Sequence, residues 1–218
     1  LIADAMEPYL AASGIQFTRN TPDMTAASSI AASNAGNYDL HLALHSNAVG
    51  SGQQSTVRGI DAYYYPTSVS GKRFADIAAN NLQLIYPLPG MVKTVPTTRL
   101  GEVARVRAPG VLIELGYHDN PLDADWIRNN INNIAENLVL SLTEYFGIPF
   151  NMPQPIQVGY VSTEGSNLNI RSRPDIGAPI IGKIPNGSEI VIYNRLPEWD
   201  LAGYGGVMGY VSSRYVAV

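Results

Sequence analysis

Cysteine is absent from the 218 residues. That excludes a disulfide framework, a thiolate metal site and a cysteine nucleophile. Any zinc would have to be held by histidine and carboxylate side chains. No apolar run reaches the roughly 18–20 residues that a bilayer-crossing helix needs. Positive charge is not in excess: 14 Lys and Arg stand against 18 Asp and Glu, and the pI is about 5.3. A nucleic-acid partner, which calls for a basic face, is therefore not expected. A Gly-x-Ser-x-Gly elbow is also missing, so a serine nucleophile such as Ser46 lacks its usual strand-to-helix setting. No leader segment is visible at the start. The chain does not begin with Met, and Leu1 to Met6 reads as mid-helix with no capping residue ahead of it, so the natural chain is expected to start upstream. A cysteine-free composition suits an extracellular bacterial protein.

What is present divides by period. Over residues 1–146, helical and strand patterns alternate. Leu1, Ile2, Ala5, Met6, Tyr9 and Leu10 recur at helical spacing, with Gly14 as a C-terminal cap. Ile15 to Arg19 reads as a short strand, Thr25 to Ala35 as a helix closed by Gly36, and Asp39 to His45 and Ile60 to Tyr65 as strands. Lys72 to Tyr86 is helical, and Val111 to Leu115 is a strand. Asn120 can cap a helix that starts at Pro121, and Ile127, Ile131, Ile134, Leu138, Leu142 and Tyr145 form one apolar stripe along it. The predicted class is α/β: a mixed, mainly parallel sheet flanked by helices on both faces.

Residues 148–156 form a proline-rich linker. From 157 to 218, short strand-like runs are separated by Gly, Pro, Asn and Asp at close intervals, the pattern of a small all-β, SH3-like barrel. The predicted organisation is a first domain over 1–147 and a second over 157–218. The acidity lies in the first: residues 156–218 carry five acidic and five basic side chains, against thirteen and nine before them.

Two residues carry chemistry. His45 ends an apolar strand, and Glu114 is a lone carboxylate on another. In open α/β sheets, ligands bind beyond the carboxyl ends of the strands, so parallel strands would bring the two to one crevice. Burial raises a carboxyl's pKa, which suits a general acid/base near neutral pH. The alternative for Glu114 is a structural ion pair with Arg105 or Arg107. His41 shares a strand face with His45, but four strand residues span about 13 Å, which is poor spacing for one ion, and it reads as structural. His118 reads as a turn or substrate-side residue.

His45-Ser46-Asn47, Arg58-Gly-Ile-Asp-Ala-Tyr-Tyr-Tyr65 and Ala108-Pro-Gly-Val-Leu-Ile-Glu-Leu-Gly-Tyr-His-Asp-Asn-Pro121, in this order, resemble the zinc-dependent N-acetylmuramoyl-L-alanine amidases of the amidase-3 type. The resemblance implies that His45 is a zinc ligand and Glu114 the catalytic glutamate. It also implies that the substrate is peptidoglycan, cut between N-acetylmuramic acid and the L-alanine of the stem peptide. The family's first zinc histidine and its ligand glutamate have no counterpart here and would fall before Leu1. The chain as given is thus expected to lack part of the zinc site. Leu168-Asn-Ile-Arg-Ser-Arg-Pro174, Ile181-Gly-Lys-Ile-Pro-Asn-Gly-Ser-Glu-Ile190, Trp199 and Gly209-Tyr-Val-Ser-Ser-Arg-Tyr-Val216 resemble a bacterial SH3-type domain. Tyr193, Trp199, Tyr204 and Tyr210 are its aromatic ligand candidates. The resemblance implies action outside the cell, at the wall. A non-catalytic wall-binding protein remains the alternative.

Overall fold

The computed structural model describes residues 1–50, 52 and 54–218. The chain forms two compact units. One comprises Leu1–Met6 with Thr18–Phe146, the other Glu7–Phe17 with Gly147–Val218. Helix α1 (Ile2–Ala12) supplies residues to both. The remaining helices are α2 (Ala26–Ala35), α3 (Val69–Gln83), α4 (Gly101–Ala104), α5 (Pro121–Asn129) and α6 (Ile131–Phe146). The strands of the first unit are β1 (His41–Asn47), β2 (Ile60–Tyr64), β3 (Val92–Pro96) and β4 (Gly110–Tyr117).

These four strands form one sheet in the order β1-β4-β2-β3. β1 runs parallel to β4 and β2 parallel to β3, while β2 and β4 are antiparallel. The sheet is mixed and mainly parallel, as the sequence pattern predicts. Strand alternation sorts its faces. Ile60, Ala62, Val111, Ile113 and Leu115 are almost fully buried, and so are Phe74 and Leu82 of α3 and Ile134 and Leu138 of α6. Phe74 meets Tyr145 edge-on at 5.4 Å. On the opposite face Ala43 and Leu112 pack with Val103 of α4, flanked by Tyr63, Tyr65 and Leu100. That cover is thin, and the thin side is where the polar residues of the sheet lie.

Local chemistry explains most of the boundaries. Thr25 and Ser28 make a reciprocal capping box ahead of α2. The Ser68 side chain caps α3 by accepting from the Gly71 N–H. Asn120 caps α5 by accepting from Leu122 N and Asp123 N. The single long helix expected after Pro121 is instead two. Asn130 leaves helical geometry at φ −124° and ψ 22°, and its side chain donates to Trp126 O at 2.8 Å. The side chain thus replaces a backbone bond, the usual way Asn interrupts a helix. Ile15 to Arg19, expected as a strand, is not in strand conformation and joins neither sheet among the described residues. β3 and the four-residue α4 were not expected from the sequence.

In the second unit, β5 (Gln157–Val161), β6 (Leu168–Arg171), β7 (Ile180–Ile184), β8 (Glu189–Arg195), β9 (Trp199–Tyr204), β10 (Val207–Ser212) and β11 (Val216–Ala217) form an antiparallel sheet. Its order is β11-β5-β8-β9-β10-β6-β7. Val161, Leu168, Ile170, Ile184, Ile190, Ile192, Ala202 and Val211 fill its interior. Asp200, fully buried, is held by the Arg195 guanidinium through two hydrogen bonds of 3.0 and 3.1 Å. The end of α1 belongs to this unit. Gly14, at φ +77°, closes the helix, with Gly14 N bonded to Ala11 O and Ile15 N to Leu10 O. Asn151 donates its side-chain amide to Ala12 O and its backbone N–H to Ser13 Oγ, both at 3.1 Å.

Candidate active site

The parallel register of β1 and β4 sets His45 directly beside Glu114, and the antiparallel register of β4 and β2 sets Glu114 beside Asp61. An imidazole and two carboxylates thus form a row across three adjacent strands, on the thinly covered face. Sequence reasoning singled out the first two members. It missed Asp61, although the signal is the same one that revealed Glu114: a carboxylate alternating with buried Ile60 and Ala62.

Glu114 has no arginine partner among the described residues, and its Oε2 is buried without a hydrogen bond. The expected alternative, a clamp by Arg105 or Arg107, is not what the fold builds. Burial pushes the Glu114 carboxyl above its ordinary value; the Asp61 charge adds to the rise, while His45 and His118 oppose it. Burial also raises Asp61, against a hydrogen bond from Tyr63 Oη to Asp61 Oδ2 at 3.3 Å. Tyr63 itself is pushed up to about 12 by burial and by Asp61. The row is therefore a site where negative charge is held at a cost, which is the setting that tunes a carboxyl toward proton transfer near neutral pH.

His45 is 43% exposed at its side chain, and its Nε2–H donates to Glu102 Oε2 at 3.0 Å. A carboxylate only accepts here, so the contact sets the proton on Nε2. The other oxygen of Glu102 lies 3.9 Å from His41 Nε2, which is buried and has no hydrogen bond. Burial lowers the His41 pKa, and Glu102 opposes this only in part. The two histidines, four residues apart on one strand, thus face a single carboxylate from α4. Glu102 lies in a four-residue helix that no sequence pattern marks, so nothing in the sequence pointed to it. Among the described residues, no three His, Cys, Asp or Glu side chains form a group that could hold a metal ion.

His118 reaches back to Ser46. Its Nδ1 lies 3.1 Å from Ser46 O and 3.0 Å from Ser46 Oγ. A carbonyl oxygen can only accept, so Nδ1 carries the proton and is no base for Ser46. The geometry does not support a serine nucleophile.

Beyond the rim, Asp123 of α5 ties the strand ends together. It is fully buried and accepts from Arg58 Nε (2.7 Å), Tyr86 Oη (2.7 Å), Gly59 N (3.2 Å) and Tyr117 N (3.1 Å). Burial raises its carboxyl, but the hydrogen bonds from Tyr86 and Arg58 outweigh that and leave it below the ordinary value. Gly116, at φ +101°, lets the strand pass this carboxylate; a Cβ there would sit 3.2 Å from Asp123 Oδ2.

The sequence profile of the N-acetylmuramoyl-L-alanine amidase family matches residues 1–144. That of the bacterial SH3 domain matches residues 166–217. No curated protein matches the chain. Among solved structures, the chain resembles an N-acetylmuramoyl-L-alanine amidase from Clostridium difficile 630, with a TM-score of 0.58 at 18% identity over 67% of this chain and 80% of that one. The amidase AmiC2 of Nostoc punctiforme gives a TM-score of 0.56 at 21% identity, over 67% and 81%. The catalytic domain of CwlV from Bacillus (Paenibacillus) polymyxa gives 0.56 at 20%, over 68% and 82%. At these identities the likeness is one of fold.

Proposed function

The chain belongs to the N-acetylmuramoyl-L-alanine amidase family, and from that membership we propose that it hydrolyses the amide between N-acetylmuramic acid and the L-alanine of the peptidoglycan stem peptide. The observation that carries the reading is the row His45, Glu114, Asp61, set side by side by strand register, with a Glu114 oxygen buried and unpartnered. Glu114 is the general acid/base. It takes a proton from the attacking water as the oxygen adds to the amide carbonyl. It returns that proton to the nitrogen as the C–N bond breaks, leaving a carboxylic acid on the sugar and a free amine on the peptide. Burial, with the Asp61 charge adding to it, pushes its carboxyl above the ordinary value, the direction such a shuttle needs.

Zinc is the cofactor the family resemblance implies. Bound, it would polarise the carbonyl and make its water more acidic. His45 is the proposed ligand of this chain. The described residues alone do not fit a zinc ion, because no three donors converge, and the proton steps above rest on Glu114 alone. Two divisions are also proposed: a catalytic domain over 1–147 and a wall-binding SH3-type domain over 157–218, acting outside the cell. Among the described residues, no helix is long and apolar enough to cross a membrane.

The deciding assay incubates the protein with muropeptides and zinc and follows free stem peptide by mass spectrometry. Release that disappears in Glu114→Gln supports the reading. No release, or release indifferent to that substitution, overturns it. The lack of three converging donors favours a second reading, a wall-binding protein without catalysis. Sedimentation with purified sacculi and no cleavage would select it.

A further inference from the structure

The line of His45, Glu114 and Asp61 does not stop at β2. The parallel register of β2 and β3 pairs Asp61 with Lys93 and Tyr63 with Val95. Strand alternation therefore sets Lys93 on the same face as the two carboxylates. Each of the four strands gives one polar side chain to the line, in the order imidazole, carboxyl, carboxyl, ammonium.

The two ends of the line differ in sign. At the β1 end, Glu102 Oε2 lies 3.0 Å from His45 Nε2, and Val103 of α4 packs on Ala43 and Leu112. At the β3 end, Lys93 is exposed and makes no hydrogen bond or ion pair with a described residue. It acts on Asp61 from a distance, lowering a carboxyl that burial raises. Arg58, just ahead of β2, is committed to Asp123, and the Tyr63 hydroxyl donates to Asp61. β3 is an edge strand, and an edge lysine ordinarily guards the edge against pairing. This one stands instead over the face that carries the acids. An anion moving along the line meets carboxylates at Glu102, Glu114 and Asp61, and a free cation at Lys93.

We propose that Lys93 determines specificity by binding a free carboxylate on the second residue beyond the cut bond, on the amine side of the amide that faces Glu114. Neighbouring strands lie about 4.8 Å apart, so the lysine starts about 10 Å from Glu114. An extended peptide advances about 3.3–3.6 Å per residue, which brings its second residue to about 7 Å. The flexible four-carbon stem spans the rest. Conversion of that carboxylate to a carboxamide removes the charge and keeps the shape, so Lys93 separates the two by charge. That the cut falls beside Glu114 and that the amine side is a stem peptide rest on the amidase reading above; the preference for the acid form goes beyond it.

The test measures binding first and turnover second. The full chain carrying Glu114→Gln is titrated by calorimetry with N-acetylmuramoyl-L-alanyl-D-isoglutamyl-L-lysine amide and with its isoglutamine counterpart, which differ only in that carboxylate. At low salt the acid should bind about fivefold more tightly than the amide, the upper worth of an exposed ion pair, and the gap should close at high salt. Lys93→Met should erase the gap and leave affinity for the amide unchanged. Lys93→Arg should keep the preference, and Lys93→Glu should reverse it. Circular dichroism checks that each variant is folded. Equal binding of the two probes, no binding of either at millimolar concentration, a preference that survives Lys93→Met, or an equal loss for both probes in that variant overturns the proposal. The last is the result expected of a lysine that only supports Asp61. A wild type that releases stem peptide from both probes with equal kcat/KM sinks the role of Lys93 and leaves the amidase reading. A wild type that releases none, yet binds the acid through Lys93, does the reverse.

Discussion

Glu114 and Asp123 flank the same turn, and both put carboxylate oxygens out of water, yet their surroundings push them in opposite directions. Around Asp123 every lone pair is spoken for, by two side chains and two backbone N–H groups. Around Glu114 one oxygen has nothing, and one of its two cross-strand neighbours is another acid. Burial penalises both charges. Hydrogen bonding reverses the penalty at Asp123 and does not at Glu114. One region uses a carboxylate to hold strands together. The other keeps a carboxylate uncommitted, which is what a group that must accept and release protons requires. A fold can thus hold, on either side of one turn, a fully satisfied acid and one left unpartnered, the proposed acid/base, separated by their hydrogen-bond inventory rather than by depth.

The contrast can be broken from either side. The largest effect is expected from Glu114→Gln, which should reduce stem-peptide release by about 10²–10⁴-fold, the usual worth of a general acid/base, with the circular dichroism spectrum unchanged. Asp123→Ala should do the opposite, acting on the fold: removing one partner of a buried pair leaves Arg58 uncompensated and costs about 3–5 kcal/mol, read from urea unfolding midpoints. Tyr86→Phe, which removes a single bond to the same carboxylate, should cost about 1.5 kcal/mol. If this variant proves as damaging as Asp123→Ala, the hub is a single cooperative network rather than a sum of bonds.

The smallest effects lie in pH dependence, and there the two acids should have opposite signs. The folded-state pKa of Asp123 lies below its ordinary 3.8. Its contribution is therefore complete above that value and is lost as pH falls through the folded pKa. Glu114 is raised above 4.5. Between the ordinary and the raised value, the folded state holds a proton that the unfolded state releases, so stability falls as pH rises through that window. Glu114→Gln should therefore be more stable than the wild type at neutral pH, and the difference should vanish near pH 4. Thermal melts of both proteins across that range read it directly.

Part of this was legible in the sequence. The mixed sheet, the barrel-like second half and the row's first two members follow from alternation: a polar residue every second position on an otherwise apolar strand must face somewhere other than the core. Asp61 carried the same signal and was passed over because its strand was read only as a strand. Glu102 carried none, since a four-residue helix has no period to detect and its meeting with His45 depends on how α4 lies over the sheet. Asp123 reads in sequence as an acid favourable to a helix N-terminus; its four partners come from the residues just before β2, the end of β4 and the turn after α3, and no local pattern announces them. The break at Asn130 was hidden because the apolar stripe continues across it in phase. Among the aromatic residues of the second half, composition could not tell core from surface, and only the structure buries Tyr210 while leaving Trp199 half-buried on a groove.

The grip of Asp123 on Gly59 and Tyr117 has one more consequence. In a strand, sliding by one residue exchanges the two faces. A single-step slip of β4 would turn Ile113 or Leu115 toward the open side and drive Glu114 into the greasy layer beneath α3. The acid's usefulness is thus decided a few positions away, by a clasp that allows only one alignment of the neighbouring chains.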